Sequence, residues 1–227
     1  MVEERPMKNY QFELEKMIKD NTSNEQKLKL LLHSCCAPCS SYVLEYLRYH
    51  FDITVFYYNP NIFPVSEMIL RVKEQEKLIL EINQETLAKV GIDEYSSNKK
   101  EFEADLIKLI IGPYEKERFY NLSKGLEKDL ERGERCKRCY KLRLEKTAWI
   151  AKEQGFDYFT TTLSVSPLKD AHLLNHIGSQ LQEVTQVKWL LSDFKKKNGY
   201  RRSVELSNQF GLYRQNYCGC EFSLENR

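Results

Sequence analysis

Residues 28–41, with the sequence LKLLLHSCCAPCSS, indicate the fold of this chain. The first seven residues are a short apolar run, which predicts a buried β-strand. Pro38 suits the first turn of an α-helix, and the residues after it have helical apolar spacing. Cys35, Cys36 and Cys39 are therefore expected where a strand ends and a helix begins. Exposed backbone amides and the helix dipole stabilise anions at such a place, including thiolates.

Strands and helices alternate through the rest of the chain. Further strands are predicted at residues 52–58, 92–95, 156–163 and 187–194, and helices at 66–84 and 169–186. Residues 99–154 are predicted to be helical, with breaks near Gly112 and Gly133. This order predicts an α/β fold with a parallel sheet of about five strands, on a nucleotide-binding scaffold of the HUP or PP-loop type with a helical insertion. Residues 1–26 are expected to form an N-terminal extension, and residues 27–227 a single catalytic domain.

The carboxyl edge of the predicted sheet is where a functional site is expected, because parallel sheets place their sites there. Three segments end at that edge: the first cysteines, Asn59-Pro60-Asn61, and residues 164–170. The glycine motifs for dinucleotides and for Walker-type ATP sites are absent, as is H-E-x-x-H. Cysteines occupy the first strand-to-helix turn, where a nucleotide-binding fold would carry glycines.

Composition excludes several classes of protein. The 227 residues are 41% hydrophobic and 30% charged, which is typical of a globular chain. The longest stretch without Lys, Arg, Asp or Glu has about 15 residues, fewer than the roughly 20 of a membrane span. No secretory signal is visible at the N-terminus, so we expect a soluble, cytoplasmic protein.

Positive charge is concentrated in the second half of the chain. Residues 1–113 carry 14 basic and 18 acidic side chains, whereas residues 114–227 carry 21 and 15. Residues 131–146 alone hold seven basic and three acidic side chains. This asymmetry favours an anionic partner such as nucleic acid, although solvated helix faces would give the same pattern.

The seven cysteines fall into three clusters: Cys35-Cys36-x-x-Cys39, Cys136-x-x-Cys139 and Cys218-x-Cys220. Disulfides are not expected in an intracellular chain with an odd cysteine count, so the clusters indicate metal binding. One zinc site would use four ligands and leave a cluster unexplained, whereas seven thiolates suit a four-cysteine iron–sulfur cluster and a second site. Adjacent side chains on an extended segment face opposite ways, so Cys35 and Cys36 are expected to serve neighbouring centres.

Five motifs in order, HSCCAPCSS, YYNPNIFP, ERCKRCYKLRLEKTA, TTLSVSPLKD and GYRRSVELS followed by LYRQNYCGC, resemble the cobalamin-independent epoxyqueuosine reductases, the QueH family. The resemblance covers about residues 28–220. It implies reduction of epoxyqueuosine to queuosine at the wobble base of tRNA. It also implies a 4Fe-4S cluster and an additional mononuclear iron, bound by cysteines and an aspartate, with an external electron donor.

The resemblance assigns metal binding to the motif cysteines: Cys35, Cys36, Cys39, Cys136, Cys139, Cys218 and Cys220. Asp170 is our choice for the carboxylate ligand because it follows a predicted strand end, although a helix-capping role fits it equally. His33, Tyr140 and Tyr217 could supply a proton, and His33 could equally be a core residue. The expected tRNA contacts are basic residues for phosphates and aromatic residues for a stacked base: Arg135, Lys137, Arg138, Lys141, Arg143 and residues 195–202, with Tyr57, Tyr58 and Phe63.

Two other functions remain open at this stage. One is a tRNA-thiolating enzyme of the PP-loop type, which the missing nucleotide loop disfavours. The other is a non-catalytic RNA-binding module in which zinc and the cysteines only stabilise the fold.

Overall fold

Five parallel strands form the centre of the computed structural model, which describes residues 9–21, 26–89 and 106–225. The strands lie side by side in the order β3-β2-β1-β4-β5. Their bounds are β1 Leu28–Ser34, β2 Phe51–Tyr57, β3 Lys108–Ile111, β4 Tyr158–Thr161 and β5 Lys188–Trp189. The predicted α/β class with a parallel sheet is confirmed.

Helices connect the strands and cover the sheet. They are α1 Tyr10–Asn21, α2 Ala37–Leu47, α3 Val65–Lys89, α4 Lys116–Ser123, α5 Glu134–Glu153, α6 Ala171–Thr185, α7 Gly199–Gln209 and α8 Phe222–Glu225. A 3₁₀ turn at Thr162–Val165 follows β4. Among the described residues, no helix combines the length and the apolar character needed to cross a membrane.

The sheet is buried on both faces, which explains the nearly continuous apolar sequence of β1. Successive side chains of a strand point to opposite faces. Leu30 and Leu32 accordingly pack with residues of α2, α3 and α7, whereas Leu31 packs with residues of α5 and α6. All three leucines are fully buried, and each burial contributes roughly 1.5–3 kcal/mol to folding. Leu14 of α1 joins the first of these two clusters.

The region predicted to be helical at residues 99–154 contains a strand, so that prediction is wrong at β3. Leu109, Ile110 and Ile111 precede Gly112-Pro113, and β-branched residues before a helix-breaking pair suit a short edge strand. Hydrogen bonding to β2 makes residues 108–111 a strand, with Val55 opposite Leu109. The strand predicted at residues 92–95 lies outside the described residues. β5 is shorter than predicted, because after Trp189 the chain leaves the ladder, with Ser192 N–H donating to Asn175 Oδ1.

The start of α7 approaches α2 closely, and a glycine permits this approach. A Cβ atom at Gly199 would lie 1.9 Å from the Phe194 carbonyl oxygen and 2.4 Å from a ring carbon of Tyr42. Any other residue there would push the two helices apart. This contact fixes the start of α7 against α2, the helix that follows the first cysteines.

The strand order changes direction between β1 and β4, because β2 and β3 lie on one side of β1 while β4 and β5 lie on the other. Ligands of open α/β sheets bind at such a switch point, beyond the carboxyl ends of the strands. In this chain the cysteine-bearing turn follows β1, and Thr162 follows β4, at that switch point.

Candidate active site

The first three cysteines converge at the turn between β1 and α2. Their sulfur atoms lie within 4.8 Å of one another, and the Cys35 and Cys36 Sγ atoms are 3.8 Å apart. Cys36 is the N-cap of α2, so the helix turns back immediately after it and brings Cys39 beside the pair. The expectation that Cys35 and Cys36 face opposite ways is therefore wrong, because β1 ends at Ser34 and the chain bends at Cys35, so the alternation of a strand does not reach this pair. These three residues are called the first cysteine group below.

Hydrogen bonds within the first cysteine group favour one thiolate. The pKa of the Cys35 thiol is well below its usual value because the Cys36 and Cys39 thiols donate to it, and Thr162 adds a further hydrogen bond. The same interactions raise the pKa values of Cys36 and Cys39. The Cys35 backbone N–H donates to Thr162 Oγ1 at 3.3 Å, which ties the group to the end of β4.

The other four cysteines come from two distant parts of the chain. Cys136 and Cys139 lie one turn apart in α5, and Cys218 and Cys220 lie in the segment before α8. The pKa of Cys218 is well below its usual value because the Cys220 thiol donates a hydrogen bond to it, and Lys169 adds electrostatic stabilisation. These four residues are called the second cysteine group.

The segment of the last two cysteines is anchored by Arg71 of α3, which is 2% exposed. Its guanidinium donates to the carbonyl oxygens of Cys218 and Tyr217, both at 3.4 Å, and pairs with Glu67 at 2.8 Å. Phe63 N–H donates to the Gly219 carbonyl oxygen at 2.7 Å.

Gly219 has a φ of +106°, which side-chain-bearing residues rarely adopt. An added Cβ would also lie 2.9 Å from Ile62 Cγ1. Glycine is therefore required between the two cysteines for their side chains to reach one site.

Both cysteine groups open onto one cavity of about 290 Å³ at the carboxyl edge of the sheet. Six of the seven cysteines line it, and Cys36 lies directly behind Cys35. Basic side chains dominate the remaining charge: Arg71, Arg135, Arg143, Lys169 and Arg214. Glu131 is the one carboxylate among the described residues of the lining, and it pairs with Lys169 at 2.7 Å.

Arg143 joins the two cysteine groups electrostatically. It lies four residues after Cys139 on α5, so both side chains face the cavity. It is 4% exposed and donates to Asn59 Oδ1 at 3.0 Å, which is a neutral partner. Burial opposes its charge, but electrostatic interactions with Cys139 and Cys35 outweigh burial and raise the pKa of Arg143. A fixed positive charge between the groups favours anionic sulfur in both.

The donor set fits metal ions bound through sulfur. All seven cysteines are free thiols, and soft thiolates select zinc, iron–sulfur clusters and related metals. Two sulfurs in a tetrahedral site with metal–sulfur bonds of about 2.3 Å lie about 3.8 Å apart, which matches the Cys35–Cys36 separation. No other cysteine, histidine and carboxylate atoms in the described residues form so tight a group of three.

Tyr140 and Tyr217, two of the three predicted proton donors, line the cavity. The Tyr140 hydroxyl is buried without a hydrogen-bond partner, and burial raises the pKa of Tyr140 to about 12. The Tyr217 hydroxyl donates to the Phe63 carbonyl oxygen at 2.7 Å, and the Arg71 guanidinium lies 5.1 Å from the centre of its ring.

His33 does not line the cavity. It is fully buried in β1, with Nε2 donating to the Tyr58 carbonyl oxygen at 3.1 Å and Nδ1 2.8 Å from Thr161 Oγ1. Burial and the nearby Arg143 lower the pKa of His33 to about 3, so the ring is neutral. With both nitrogens hydrogen-bonded, this geometry favours a role in joining β1 to β4.

Asp170 is the N-cap of α6, where Oδ1 accepts a hydrogen bond from Leu173 N–H at 3.1 Å. It is not among the residues that line the cavity. The cap uses Oδ1 alone, so it does not by itself prevent Oδ2 from binding a metal.

The predicted tRNA-contacting residues divide by exposure. Arg135 is 1% exposed and donates to the carbonyl oxygens of Leu126 and Glu127 at 2.7 and 2.9 Å, so neither it nor Arg143 can contact phosphates at the surface. Tyr57 and Tyr58 are also buried and cannot stack on a base. Outside residues 195–202, the exposed members of the set are Lys137, Arg138 and Lys141 on α5, with Phe63 near the cavity. Lys137 and Arg138 both pair with Glu134, at 3.6 and 3.5 Å.

Much of the basic segment at residues 195–202 is paired within the protein. Lys195 contacts Asp193, Lys197 contacts Glu15, and Arg202 contacts Glu45. These ion pairs leave less free charge for phosphates than composition alone indicates.

Among the cavity residues that were not foreseen as site residues are Asn61, Arg71, Glu131, Lys169, Arg214 and Gln215. Asn61, Lys169 and Gln215 lie inside or beside motifs already noted, which is a usable signal. Arg71 and Glu131 carry no comparable signal, because a helix surface and a loop supply them.

A parallel α/β sheet that gathers seven free thiols at its carboxyl edge defines a class of proteins equipped to bind metal through cysteine. The family model described as "Epoxyqueuosine reductase QueH" matches residues 30–226, and the chain belongs to this family. The family resemblance seen in the five sequence motifs is thereby confirmed.

Relatives in several bacteria carry the same name, epoxyqueuosine reductase QueH. The protein of Staphylococcus epidermidis is 41% identical over 217 residues, which cover 95% of this chain and 84% of the relative. The protein of Streptococcus pyogenes is 40% identical, with 95% and 78% covered. The protein of Thermotoga maritima is 37% identical, with 87% and 91% covered.

Proposed function

We propose that this chain reduces epoxyqueuosine in tRNA to queuosine, and that the reaction takes place in the cysteine-lined cavity. Family membership supports the activity. The observation that carries the location is the convergence of both cysteine groups on one cavity at the switch point of the sheet. Because the substrate is a tRNA, the proposal includes a cytoplasmic location.

The reaction sets the requirements of the site. Opening an epoxide to an alkene and water consumes two electrons and two protons, and the oxygen leaves more easily when it is bound to a Lewis acid. A 4Fe-4S cluster and a single iron, when bound, would supply single electrons and that Lewis acid. An external donor would have to provide the electrons.

Sulfur geometry supports a division of the cysteines between the two metals. The close spacing of Cys35, Cys36 and Cys39 suits one ion, so we assign the single iron to the first cysteine group. The second cysteine group offers four thiols, the number that a 4Fe-4S cluster takes, and its sulfurs are more widely spaced. Asp170 stays a proposed additional ligand to the single iron.

The protein's own residues hold and protonate the substrate. Tyr140 presents a hydroxyl inside the cavity with no competing partner, so it is our first choice for the proton donor. Tyr217 is the second choice, since its proton is engaged by Phe63. We assign His33 to positioning the cysteine turn rather than to proton transfer, because both ring nitrogens are engaged inside the sheet.

The outer face of α5 is the proposed docking surface for tRNA phosphates. Lys137, Arg138 and Lys141 are exposed on the helix that also carries Cys136 and Cys139. Phosphate contacts there would position the modified base at the cavity, and the exposed ring of Phe63 is available for stacking.

The test is to purify the full chain without oxygen, measure iron, zinc and acid-labile sulfide, and assay epoxyqueuosine-containing tRNA with a chemical reductant. We expect about four sulfides with more than four irons, and conversion to queuosine. Stoichiometric zinc without sulfide and without turnover would overturn the proposal in favour of a zinc-stabilised RNA-binding module. ATP-dependent incorporation of sulfur into tRNA would overturn it in favour of a thiolating enzyme.

A further inference from the structure

Two amide oxygens of the cavity lining have no hydrogen-bond partner. Asn61 is 3% exposed and its Oδ1 atom is buried and unpaired. The Oε1 atom of Gln215 is buried and unpaired as well. Both residues line the cavity beside the cysteines, although they come from the loop after β2 and from the segment before Cys218.

Such atoms call for a partner, because a buried acceptor left unsatisfied costs about 1–3 kcal/mol. Nearly all buried polar groups in folded proteins are hydrogen-bonded, and exceptions at a cavity point to a ligand with donor groups. Both unpaired oxygens are therefore left for donor groups of a molecule in the cavity.

We infer that Asn61 and Gln215 recognise the substituent of the modified base by accepting hydrogen bonds from its ring hydroxyl groups. The inference rests on the proposed function. Epoxyqueuosine carries a cyclopentane ring with an epoxide and two hydroxyls, and hydroxyls donate well to amide oxygens. The lining also contains other neutral polar side chains, among them Asn216, Ser166 and Ser203, but Asn61 and Gln215 contribute its buried amide oxygens without a hydrogen-bond partner, and these suit a diol.

The consequence is selectivity for bases that already carry the ring. A site built to bind substrate hydroxyls rejects an analogue that lacks them, because its own polar groups would stay buried and unpaired. A tRNA with the same 7-aminomethyl-7-deazaguanine base but no cyclopentane ring should therefore bind more weakly than the substrate.

The experiment compares Asn61→Leu with Asn61→Asp in the full chain loaded with its metals. The dissociation constant is measured for tRNA with epoxyqueuosine and for tRNA with the ring-free base. Asn61→Leu should weaken binding of the first tRNA by about 3- to 10-fold and leave the second unchanged. Asn61→Asp keeps an acceptor oxygen and should keep the difference between the two tRNAs. Gln215→Leu and Gln215→Glu form a second pair.

Asn208→Leu is the matched control, because Asn208 is exposed on α7. If the wild-type chain does not convert epoxyqueuosine, the proposed function fails. If the wild type is active and Asn61→Leu weakens the binding of both tRNAs equally, or of neither, the inference fails while the proposed function stands. Iron is counted in every variant, and loss of iron from Asn61→Leu would make Asn61 a metal ligand and overturn the inference.

Discussion

The two cysteine groups are assembled in opposite ways. The three cysteines of the first lie within five consecutive positions, residues 35–39, and their sulfurs meet because a strand ends just before them and a helix starts between Cys36 and Cys39. The second joins Cys136 and Cys139 of α5 to Cys218 and Cys220, about 80 residues further along the chain. Local backbone geometry is sufficient for the first group, whereas the second needs the segment before α8 to be held against α3.

This difference indicates that the two groups should respond separately to perturbation. Arg71, Gly219 and Phe63 hold the last two cysteines in place through direct contacts. The groups are coupled by Arg143, by the shared cavity and by the electrostatic interaction of Arg71 with Cys36. Loss of metal from one cysteine group alone would support two metal centres. Loss of metal from both groups together would indicate a single centre.

The largest effect is expected from removing one thiol of each group. Cys39→Ser should remove the single iron and keep the acid-labile sulfide, whereas Cys139→Ser should remove the sulfide and keep one tightly bound metal. Losing a residue that only orients a metal ligand already costs 10–100-fold, so turnover should fall at least about 100-fold in both variants. Metal and sulfide analysis with an epoxyqueuosine assay tests this. Loss of all metal and sulfide from either variant would mean that the groups form a single centre.

An intermediate effect is expected at Arg71. Arg71→Met removes both carbonyl contacts to the last cysteine segment and leaves Glu67 without its cationic partner, although the Tyr213 hydroxyl still donates to Glu67. Breaking a buried ion pair costs about 3 kcal/mol, so the free energy of unfolding should fall by about that amount. Sulfide content should fall while the first group keeps its metal.

Arg201→Met is the control for Arg71, because the Arg201 side chain is 80% exposed and pairs with Glu205. The free energy of unfolding of Arg201→Met should fall by less than about 1 kcal/mol. Denaturant unfolding and metal analysis measure both effects. Equal loss of metal from the two groups in Arg71→Met would contradict the separation.

The smallest effect should arise on the outer face of α5. The double variant Arg138→Glu with Lys141→Glu should weaken tRNA binding by roughly tenfold and lower the salt dependence, because phosphate contacts release counterions. Both cysteine groups should keep their metals. A double variant at the opposite end of the sheet, Lys152→Glu with Lys188→Glu, makes the same charge change and should bind normally. Unchanged affinity in the α5 variant would discard this surface.

The sequence was sufficient for features that depend on local order. The apolar run of β1, Pro38 and the cysteine spacing place the first group correctly at a strand-to-helix turn. The prediction that the Cys35 and Cys36 side chains face opposite ways was wrong, because it assumed strand geometry at Cys35, whereas β1 ends at Ser34. The helical spacing of four residues between Cys139 and Arg143 was available as a signal, yet charge alone had suggested a surface role for Arg143.

Features that depend on tertiary contacts were not predictable in the same way. β3 forms because β2 offers it an edge for pairing. The sequence on either side of β3 favoured helix, and no local sequence pattern was strong enough to indicate a strand there. Asp170 follows a strand end as expected, but the first turn of α6 takes its carboxylate as a cap. The carboxylate at the cavity is instead Glu131, which comes from a loop and is placed by its ion pair with Lys169.

The distance between the cysteine groups along the chain also sets an order in time. Cys39 is synthesised about 180 residues before Cys220. At roughly 5–20 residues per second, the ribosome needs about 10–40 s to cover that distance. During this interval the first three thiols are made while the pair that completes the second group is not. The first group is therefore the part of the site that meets cellular metals and oxidants earliest, and zinc captured there during synthesis would have to be displaced before the proposed iron could bind.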